Sequence, residues 1–255
     1  CEFLVILGTT GESVVLSAEE KSDVLKIILN VNKQRVPAVL GIGGNDTASV
    51  IKQLKSIPEG IDAILSVTPY YNKPSQEGLF QHYKAVCEAS PLPIILYNVP
   101  GRTGVNMTAD TTLRIINACS NAIAIKEASG NADQCFKIMK NAPEGFVLLS
   151  GDDNMTLPLV ALGATGVIST VANSVPATYS EMVRQAIAGN FAEARRLHGL
   201  TFELVNQIFA DGSPAGVKEA LAHQGLCHNR VRLPLANVNA TVAQNIKQQV
   251  DLINE

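Results

Sequence analysis

The chain has 255 residues, of which 46% are hydrophobic and 17% charged, and its formal net charge is −3. This composition is typical of one globular domain with a full core, and it argues against a disordered chain or a nucleic-acid-binding protein. No apolar run reaches the roughly 18 residues of a membrane-spanning helix and no signal peptide is recognisable, so we expect no membrane partner and a cytoplasmic location.

The cysteines and histidines point to no metal site. The five cysteines are scattered and form no C-x-x-C pair, and the four histidines lack the spacing of metal ligands. We therefore expect reduced thiols, no disulfide framework, no metal and no organic cofactor.

Short apolar runs alternate with amphipathic segments along the chain. Strands are predicted at 3–7, 37–41, 61–67, 92–97, 122–126, 145–150 and 166–169. Helices are predicted between them at 17–32, 47–55, 76–89, 110–118, 133–141 and 155–162, and then at 176–188, 190–209, 214–224 and 238–253. The strands are apolar throughout, which is typical of a parallel sheet buried on both faces.

This order predicts an α/β fold, a (β/α)8 TIM barrel with a C-terminal helical extension. Such a barrel needs eight strands and about 250 residues, whereas seven strands are recognisable. We expect the first strand–helix unit to be absent from this sequence, so that the seven strands correspond to strands 2–8. Residues 1–175 would form the barrel, and residues 176–255 the closing helix and the helical extension.

One predicted strand ends in a lysine, within the stretch Ala122–Gly130. A lysine at the end of a buried strand has little water around it, and desolvation disfavours the charged ammonium. A neutral amine attacks carbonyl carbons and can form a Schiff base. The alternative is an ordinary lysine, Lys126, whose ammonium reaches solvent from the strand end.

Other residues that can bind or react also directly follow predicted strands. In a barrel the carboxyl ends of all strands lie at one opening, which we call the mouth. Each has an ordinary alternative: the threonines and aspartates could cap helices, the tyrosines could pack, and the arginine could form a surface ion pair. Together they converge on one site. The residues are Thr9, Thr10, Tyr70, Tyr71, Tyr97, Arg102, Lys126, Gly151, Asp152, Asp153, Ser169 and Thr170.

These groups suit the chemistry of a 2-oxo acid. The amine of Lys126 would attack the ketone, and the resulting iminium would make the adjacent carbon acidic. Hydroxyl and N–H groups at Thr9 and Thr10 would hold the carboxylate. A phenol would move protons, and Arg102 would bind a second carboxylate.

Five motifs resemble those of the 4-hydroxy-tetrahydrodipicolinate synthase (dihydrodipicolinate synthase) family, in family order and across the whole chain. They are Gly8–Ser13, Val67–Asn72, Tyr97–Gly104, Ile125–Asn131 and Leu149–Asp153. The resemblance implies a class I aldolase-like lyase of diaminopimelate and lysine biosynthesis. Such enzymes condense pyruvate with L-aspartate 4-semialdehyde in a (β/α)8 barrel and are usually homotetramers.

The resemblance also implies roles for individual residues. Lys126 would be the Schiff-base lysine, and Tyr97 would relay protons through Thr9 to Tyr71 of a neighbouring subunit. The groups that bind substrate would be Thr10, Arg102, Gly151 and, through its backbone, Ile168.

In lysine-inhibited members of the family an allosteric pocket lies at the dimer interface. Ser13, Asn45 and Tyr70 match it, but Ala18 stands where sensitive members have histidine and Ser49 where they have glutamate. An ammonium without a carboxylate partner binds poorly, so we expect weak lysine inhibition or none.

Two alternatives remain open. The first is N-acetylneuraminate lyase or a 2-keto-3-deoxy sugar acid aldolase, which share the lysine and the tyrosine. The Thr-Thr pair, the Tyr-Tyr-Asn-Lys-Pro loop and Arg-Thr-Gly favour the synthase. The second is a barrel paralogue without catalytic activity.

Overall fold

The computed structural model describes residues 1–254. Its seven strands form one parallel sheet in sequence order, from β1 to β7. They are β1 (Leu4–Ile6), β2 (Ala38–Gly41), β3 (Ala63–Val67), β4 (Ile94–Asn98), β5 (Ala122–Glu127), β6 (Val147–Ser150) and β7 (Gly166–Val167). The predicted strands are confirmed, with ends that differ by a few residues.

Eleven helices are described in residues 1–254, and they connect and follow the strands. They are α1 (Ala18–Asn32), α2 (Thr47–Leu54), α3 (Gln76–Ala89), α4 (Pro100–Thr103), α5 (Ala109–Ala118), α6 (Ala132–Asn141), α7 (Thr156–Ala161), α8 (Pro176–Ile187), α9 (Phe191–Ala210), α10 (Ala215–His223) and α11 (Ala240–Asn254). The side chains of Ser17 and Glu20 form a capping box at the start of α1, which the Ser-x-x-Glu pattern at residues 17–20 indicates.

Helix α4 lies between the predicted strand 92–97 and the predicted helix 110–118, in a segment for which the sequence predicts neither. Pro100 stands at its first position and Gly104 ends it in the left-handed region, with φ 70°. Both residues suit those places, since proline has no N–H to satisfy and glycine has no Cβ to strain. One helical turn is too short to give a hydrophobic period, which is why the pattern was missed.

Both faces of the sheet are buried, as expected of a barrel wall. Most strand residues pack either against the helices, as Leu96 and Ile125 do, or into the barrel interior, as Ile95 and Ala124 do. Ile123, where the β4–β5 register shifts, is exposed. Tyr97 continues the interior row of β4, and Lys126 continues that of β5. The predicted TIM-barrel fold is confirmed, and it directs both side chains toward the mouth.

The helices after β7 pack against one another and against the mouth. Lys218 of α10 lies 2.7 Å from the carboxylate of Glu12, and Gln224 donates a hydrogen bond to the carbonyl oxygen of Ser174. The helical C-terminal extension is thus confirmed, while the boundary at residue 175 stays a prediction. Among residues 1–254 no helix is both long and apolar enough to cross a membrane.

His82, in α3, predicts an acid-sensitive step in stability. Its Nδ1 pairs with the Thr47 hydroxyl at 2.9 Å, its Nε2 is buried without a partner, and burial lowers its pKa from 6.5 to about 4. Protonation therefore favours the unfolded chain, so stability present above pH 6.5 is lost as the pH falls toward 4. From pH 7 to pH 5 this one group should cost about 2 kcal/mol of unfolding free energy.

Denaturant unfolding of His82→Gln at both pH values measures that cost. The variant should lose less stability between pH 7 and pH 5 than the parent does, because its side chain does not titrate. His228→Gln, at an exposed position, is the matched control and should keep the parent's pH dependence. An identical pH dependence in His82→Gln and the parent would contradict the prediction.

Candidate active site

A cavity of about 490 Å³ opens at the carboxyl ends of the strands. It also extends between the two edge strands, past Phe3 and Val167, so the mouth is only part of its volume. Nine of the predicted site residues line it together: Thr9, Thr10, Tyr97, Arg102, Lys126, Gly151, Ile168, Ser169 and Thr170. The structure therefore brings the predicted catalytic lysine, phenol and guanidinium to one place.

Lys126 and Tyr97 form the centre of this site. They are partners in the β4–β5 register, and the ammonium nitrogen of Lys126 lies 4.2 Å from the centroid of the Tyr97 ring. Tyr97 is buried and Lys126 half-buried. A cation over an aromatic face is attracted by the ring's quadrupole, so the tyrosine holds the lysine while its hydroxyl stays available.

Gly151, directly after β6, lets the stem of Lys126 pass. A Cβ at position 151 would lie 2.7 Å from Cβ of Ala128, 3.0 Å from Cε of Lys126 and 3.1 Å from its Cγ. The 2.7 Å distance is too short for two carbon atoms, and the Ala128 methyl group cannot rotate away, while the two tight contacts with Lys126 would force its stem to shift. The absence of a side chain at Gly151 therefore helps to define the path of the lysine.

Gly151→Ala should displace the lysine amine and lower turnover by about 100-fold, since misplacement by about 1 Å can cost that much. The rate at which pyruvate and borohydride together modify the protein should fall with it. The control is Gly199→Ala in α9, where an added Cβ meets nothing within 4 Å. The control should keep full activity, and normal turnover in Gly151→Ala would show that the lysine tolerates the methyl group.

Thr9 and Thr10 lie on a 3-10 turn, Thr9–Gly11, that caps no helix. The Thr10 hydroxyl lies 3.5 Å from that of Thr170, across the mouth. Glu12, which follows the turn in the left-handed region, accepts hydrogen bonds from Lys218 and from the Arg232 amide. The C-terminal helical region thus anchors the threonine turn, a contact that no local sequence pattern predicts.

The two aspartates after Gly151 differ in role. We interpreted both as helix caps, but the carboxylate of Asp152 accepts the amides of Asn154 and Met155 in the turn before α7, and no side chain caps α7 itself. That interpretation is also wrong for Asp153, whose buried carboxylate accepts the amides of Thr170 and Val171 at 3.1 and 2.9 Å. The Asp153 side chain points toward the end of β7 and not toward α7. Its carboxylate therefore holds the loop that follows β7.

Burial raises the pKa of the Asp153 carboxyl, while its hydrogen bonds to Ser169, Val171 and Thr170 and the charge of Lys126 act in the opposite direction. Because an opposite charge favours the ionised form of a carboxyl group, the charge of Lys126 favours the Asp153 carboxylate.

Arg102 and Ile168 complete the lining. Arg102 is exposed in the last turn of α4, and no carboxylate of residues 1–254 lies within 4 Å of its guanidinium, so a surface ion pair does not explain it. Ile168 is buried and donates its amide to the carbonyl oxygen of Ser150 at 2.9 Å. A free guanidinium at a cavity wall is suited to bind a carboxylate.

Tyr71 does not reach the cavity of its own chain. Its side chain is 87% exposed, and its backbone φ is 72°, a conformation that is strained for a bulky residue. The neighbouring Asn72 donates a hydrogen bond to the carbonyl oxygen of Asn45, which fixes the loop. An exposed phenol on a fixed, strained loop has no packing role within this chain.

The three residues of the predicted lysine pocket also lie outside the cavity lining. The hydrogen bond between Asn72 and Asn45 ties the loop of Tyr70 to the turn before α2, whereas Ser13 lies on a separate 3-10 turn, Ser13–Val15. Ser49 donates its hydroxyl to Asp46, the N-cap of α2. The pocket and its weak response to lysine stay predictions.

Comparison with known proteins identifies the family. Residues 1–253 match the dihydrodipicolinate synthetase family. The chain belongs to this family. A 4-hydroxy-tetrahydrodipicolinate synthase of Parabacteroides distasonis is 52% identical over 248 residues, which cover 97% of this chain and 84% of the relative. One of Phocaeicola vulgatus is 49% identical over 247 residues, covering 96% and 83%.

A solved structure of the family has the same fold. The chloride-inhibited dihydrodipicolinate synthase of Acinetobacter baumannii, in complex with pyruvate, is 40% identical and superposes with a TM-score of 0.95. The match covers 99% of this chain and 87% of that one. Membership of the dihydrodipicolinate synthetase family therefore rests on both sequence and fold, and it confirms the resemblance seen in the motifs.

Proposed function

We propose that this protein is a 4-hydroxy-tetrahydrodipicolinate synthase, a lyase that condenses pyruvate with L-aspartate 4-semialdehyde. The observation that carries this is the pairing of Lys126 with Tyr97 inside a cavity that Thr10 and Arg102 also line. The names of the relatives support the synthase over a neuraminate lyase or a sugar acid aldolase.

In the first half of the reaction the amine of Lys126 attacks the keto carbon of pyruvate. The carbonyl oxygen takes up protons and leaves as water, which produces an iminium between the enzyme and the substrate. The pyruvate carboxylate is held by hydroxyl and N–H groups of Thr9 and Thr10, while the backbone of Ile168 contacts the substrate. The iminium withdraws electrons from the methyl carbon, so loss of one proton gives a nucleophilic enamine.

In the second half the enamine carbon attacks the aldehyde carbon of the semialdehyde, whose oxygen takes a proton and becomes the hydroxyl group. The guanidinium of Arg102 binds the semialdehyde carboxylate. The amine of the semialdehyde then attacks the iminium carbon, displaces Lys126 and closes the ring. Tyr97 moves the protons of these steps, since its hydroxyl lies at the end of the strand beside the lysine.

Two measurements on the unmodified protein test this function. Pyruvate with borohydride should reduce the iminium to a stable secondary amine, which mass spectrometry of the peptides should locate at Lys126. Pyruvate with aspartate semialdehyde should then show condensation, whereas N-acetylneuraminate should not be cleaved. Absence of the adduct would reject Schiff-base chemistry, and an adduct accompanied only by neuraminate cleavage would assign the alternative activity.

We propose further that Tyr71 completes the site of a second copy of the chain, within a homotetramer built as a dimer of dimers. Its 87% exposure, its strained backbone and its fixed loop support a role outside its own cavity. Thr9, on the cavity wall, would connect the partner's phenol with Tyr97.

Tyr71→Phe should lower turnover by about tenfold or more, because it removes one hydroxyl from the proton relay. Formation of the pyruvate adduct should change little, since Lys126 and its own strand are untouched. Stopped-flow turnover and borohydride trapping measure the two effects, and analytical ultracentrifugation measures the assembly. Unchanged turnover in a variant that assembles like the parent would argue against the relay.

A further inference from the structure

Asn98 and Glu127 are the residues directly after Tyr97 and Lys126, and they too are partners in the β4–β5 register. Because side chains alternate along a strand, they lie on the opposite face of the sheet, under the helices. Both are buried, with 0% and 1% of their surface exposed. A buried carboxylate beside the reactive lysine, facing away from the substrate, has no role in the chemistry described above.

The carboxylate of Glu127 is saturated with N–H donors. Asn98 donates its side-chain amide to both oxygens at 3.1 Å, the amide of Ser129 donates at 2.8 Å, and Nε2 of Gln134 donates at 3.0 Å. Within residues 1–254 no lysine, arginine or histidine forms a salt bridge with it. A buried carboxylate without a cation is stable only when hydrogen bonds replace its water, so these donors are essential to it.

The same network reaches the loop after α4, the helix that carries Arg102. Asn98 accepts the amide of Met107 at 2.9 Å and donates to the side chain of Asn106 at 2.8 Å. Gln134 bonds both residues of that loop from the start of α6. One set of buried hydrogen bonds thus joins β4, β5, α6 and the loop after α4.

The backbones of the pair also connect neighbouring strand ends. The Glu127 carbonyl accepts the amide of Gly151 at 2.7 Å, and the Asn98 carbonyl accepts the amide of Ala128 at 2.9 Å. The strand ends that carry Tyr97, Lys126 and Gly151 are therefore fixed around the pair.

We propose that Asn98 and Glu127 are a positioning pair, which sets the distance between the amine of Lys126 and the phenol of Tyr97 from the outer face of the barrel. The proposal rests on the function proposed above. Displacement of reacting groups by about 1 Å can cost 100-fold in rate, and buried partners that orient a reactive group commonly carry 10-fold to 100-fold effects. Neither residue touches the substrate.

Glu127→Gln tests the pair, because it replaces one carboxylate oxygen by an NH2 group. This group is a donor, and it would face the N–H donors of Asn98 and Gln134. We expect the trapping rate at saturating pyruvate and kcat both to fall by about 10-fold to 100-fold. The double variant Asn98→Asp/Glu127→Gln exchanges donor and acceptor, restores the bond between the strands, and should recover at least half of that loss on a logarithmic scale.

Glu219→Gln is the matched control. Glu219 is a buried carboxylate of α10 that accepts from Asn229 and pairs with Lys247, and it lies outside the cavity lining. We expect it to lower the melting temperature and leave the trapping rate within twofold of the parent. A general loss of stability in Glu127→Gln would then not account for slower trapping.

If Glu127→Gln does not fold, Gln134→Ala tests the positioning role instead. It removes one hydrogen-bond donor to the Glu127 carboxylate, and its position is only half-buried. It should slow trapping by about threefold or more. Trapping within twofold of the parent in the folded variants, or a double variant no faster than Glu127→Gln, would overturn the positioning role. A parent protein that forms no adduct would reject the proposed function itself, so the two failures are distinguishable.

Discussion

Lys126→Ala should abolish condensation and the borohydride-trapped adduct together. Lys126 is the one lysine that lines the mouth cavity among residues 1–254, so no second lysine side chain can replace it. Loss of a covalent nucleophile removes the whole route through the iminium, and we expect turnover to fall by at least about 1,000-fold. Steady-state kinetics and mass spectrometry of the reduced protein measure the two losses.

Lys126→Arg separates the nucleophile from the charge. Its guanidinium keeps a positive charge on a long stem, but it stays protonated and cannot attack a ketone. We expect this variant to bind pyruvate and yet form no adduct. If the lysine acted only by attracting the carboxylate, Lys126→Arg would instead retain much of the activity.

The control for these variants is Lys140→Ala, at an exposed position of α6. It removes an ordinary surface lysine and should leave turnover and trapping unchanged. An adduct of undiminished yield in Lys126→Ala would show that another amine reacts with pyruvate, and it would overturn the assignment of the nucleophile.

The barrel was predictable from sequence because its strands are short, apolar on both faces and separated by helices with clear N-caps. Ser17 and Glu20 form the capping box that the pattern indicates. The pattern did not reveal α4 or the 3-10 turn at Thr9–Gly11, because elements of three or four residues have no measurable period.

The residues at the mouth were predictable for a different reason. Polar side chains such as Lys126 and Arg102 follow apolar strands directly, and parallel strands end on one side of a barrel. Buried residues on the outer face gave no such signal. Asn98 and Glu127 are each one position beyond a predicted catalytic residue, but only the register between the strands shows that they bond to each other.

The exposure of the Tyr71 side chain could not be predicted from local sequence patterns. Sequence placed two adjacent tyrosines on one loop, and the structure separates them: Tyr70 is 37% exposed and Tyr71 87% exposed. A positive φ at Tyr71 is a property of the folded loop, which Asn72 holds through its hydrogen bond to Asn45. Tertiary contacts, not local preference, set that conformation.

Tyr97→Phe should lower turnover by about 100-fold to 10,000-fold, the usual contribution of a general acid or base. The substitution removes one oxygen and keeps the ring, so the contact between the Lys126 ammonium and the ring face at 4.2 Å should persist. The lysine should therefore still form its pyruvate adduct, more slowly than in the parent, because loss of water from the carbinolamine also needs a proton.

Tyr83→Phe is the matched control for loss of a buried phenol. The Tyr83 hydroxyl donates to the carbonyl oxygen of Ser66 at 2.9 Å, under the helices and outside the cavity lining. This variant should lose about 1 kcal/mol of stability and keep its turnover. Turnover within tenfold of the parent in Tyr97→Phe would exclude its hydroxyl as the proton carrier, because the ring alone cannot accept a proton. Loss of turnover with retained adduct would place Tyr97 at the proton-transfer steps and Lys126 at the covalent one.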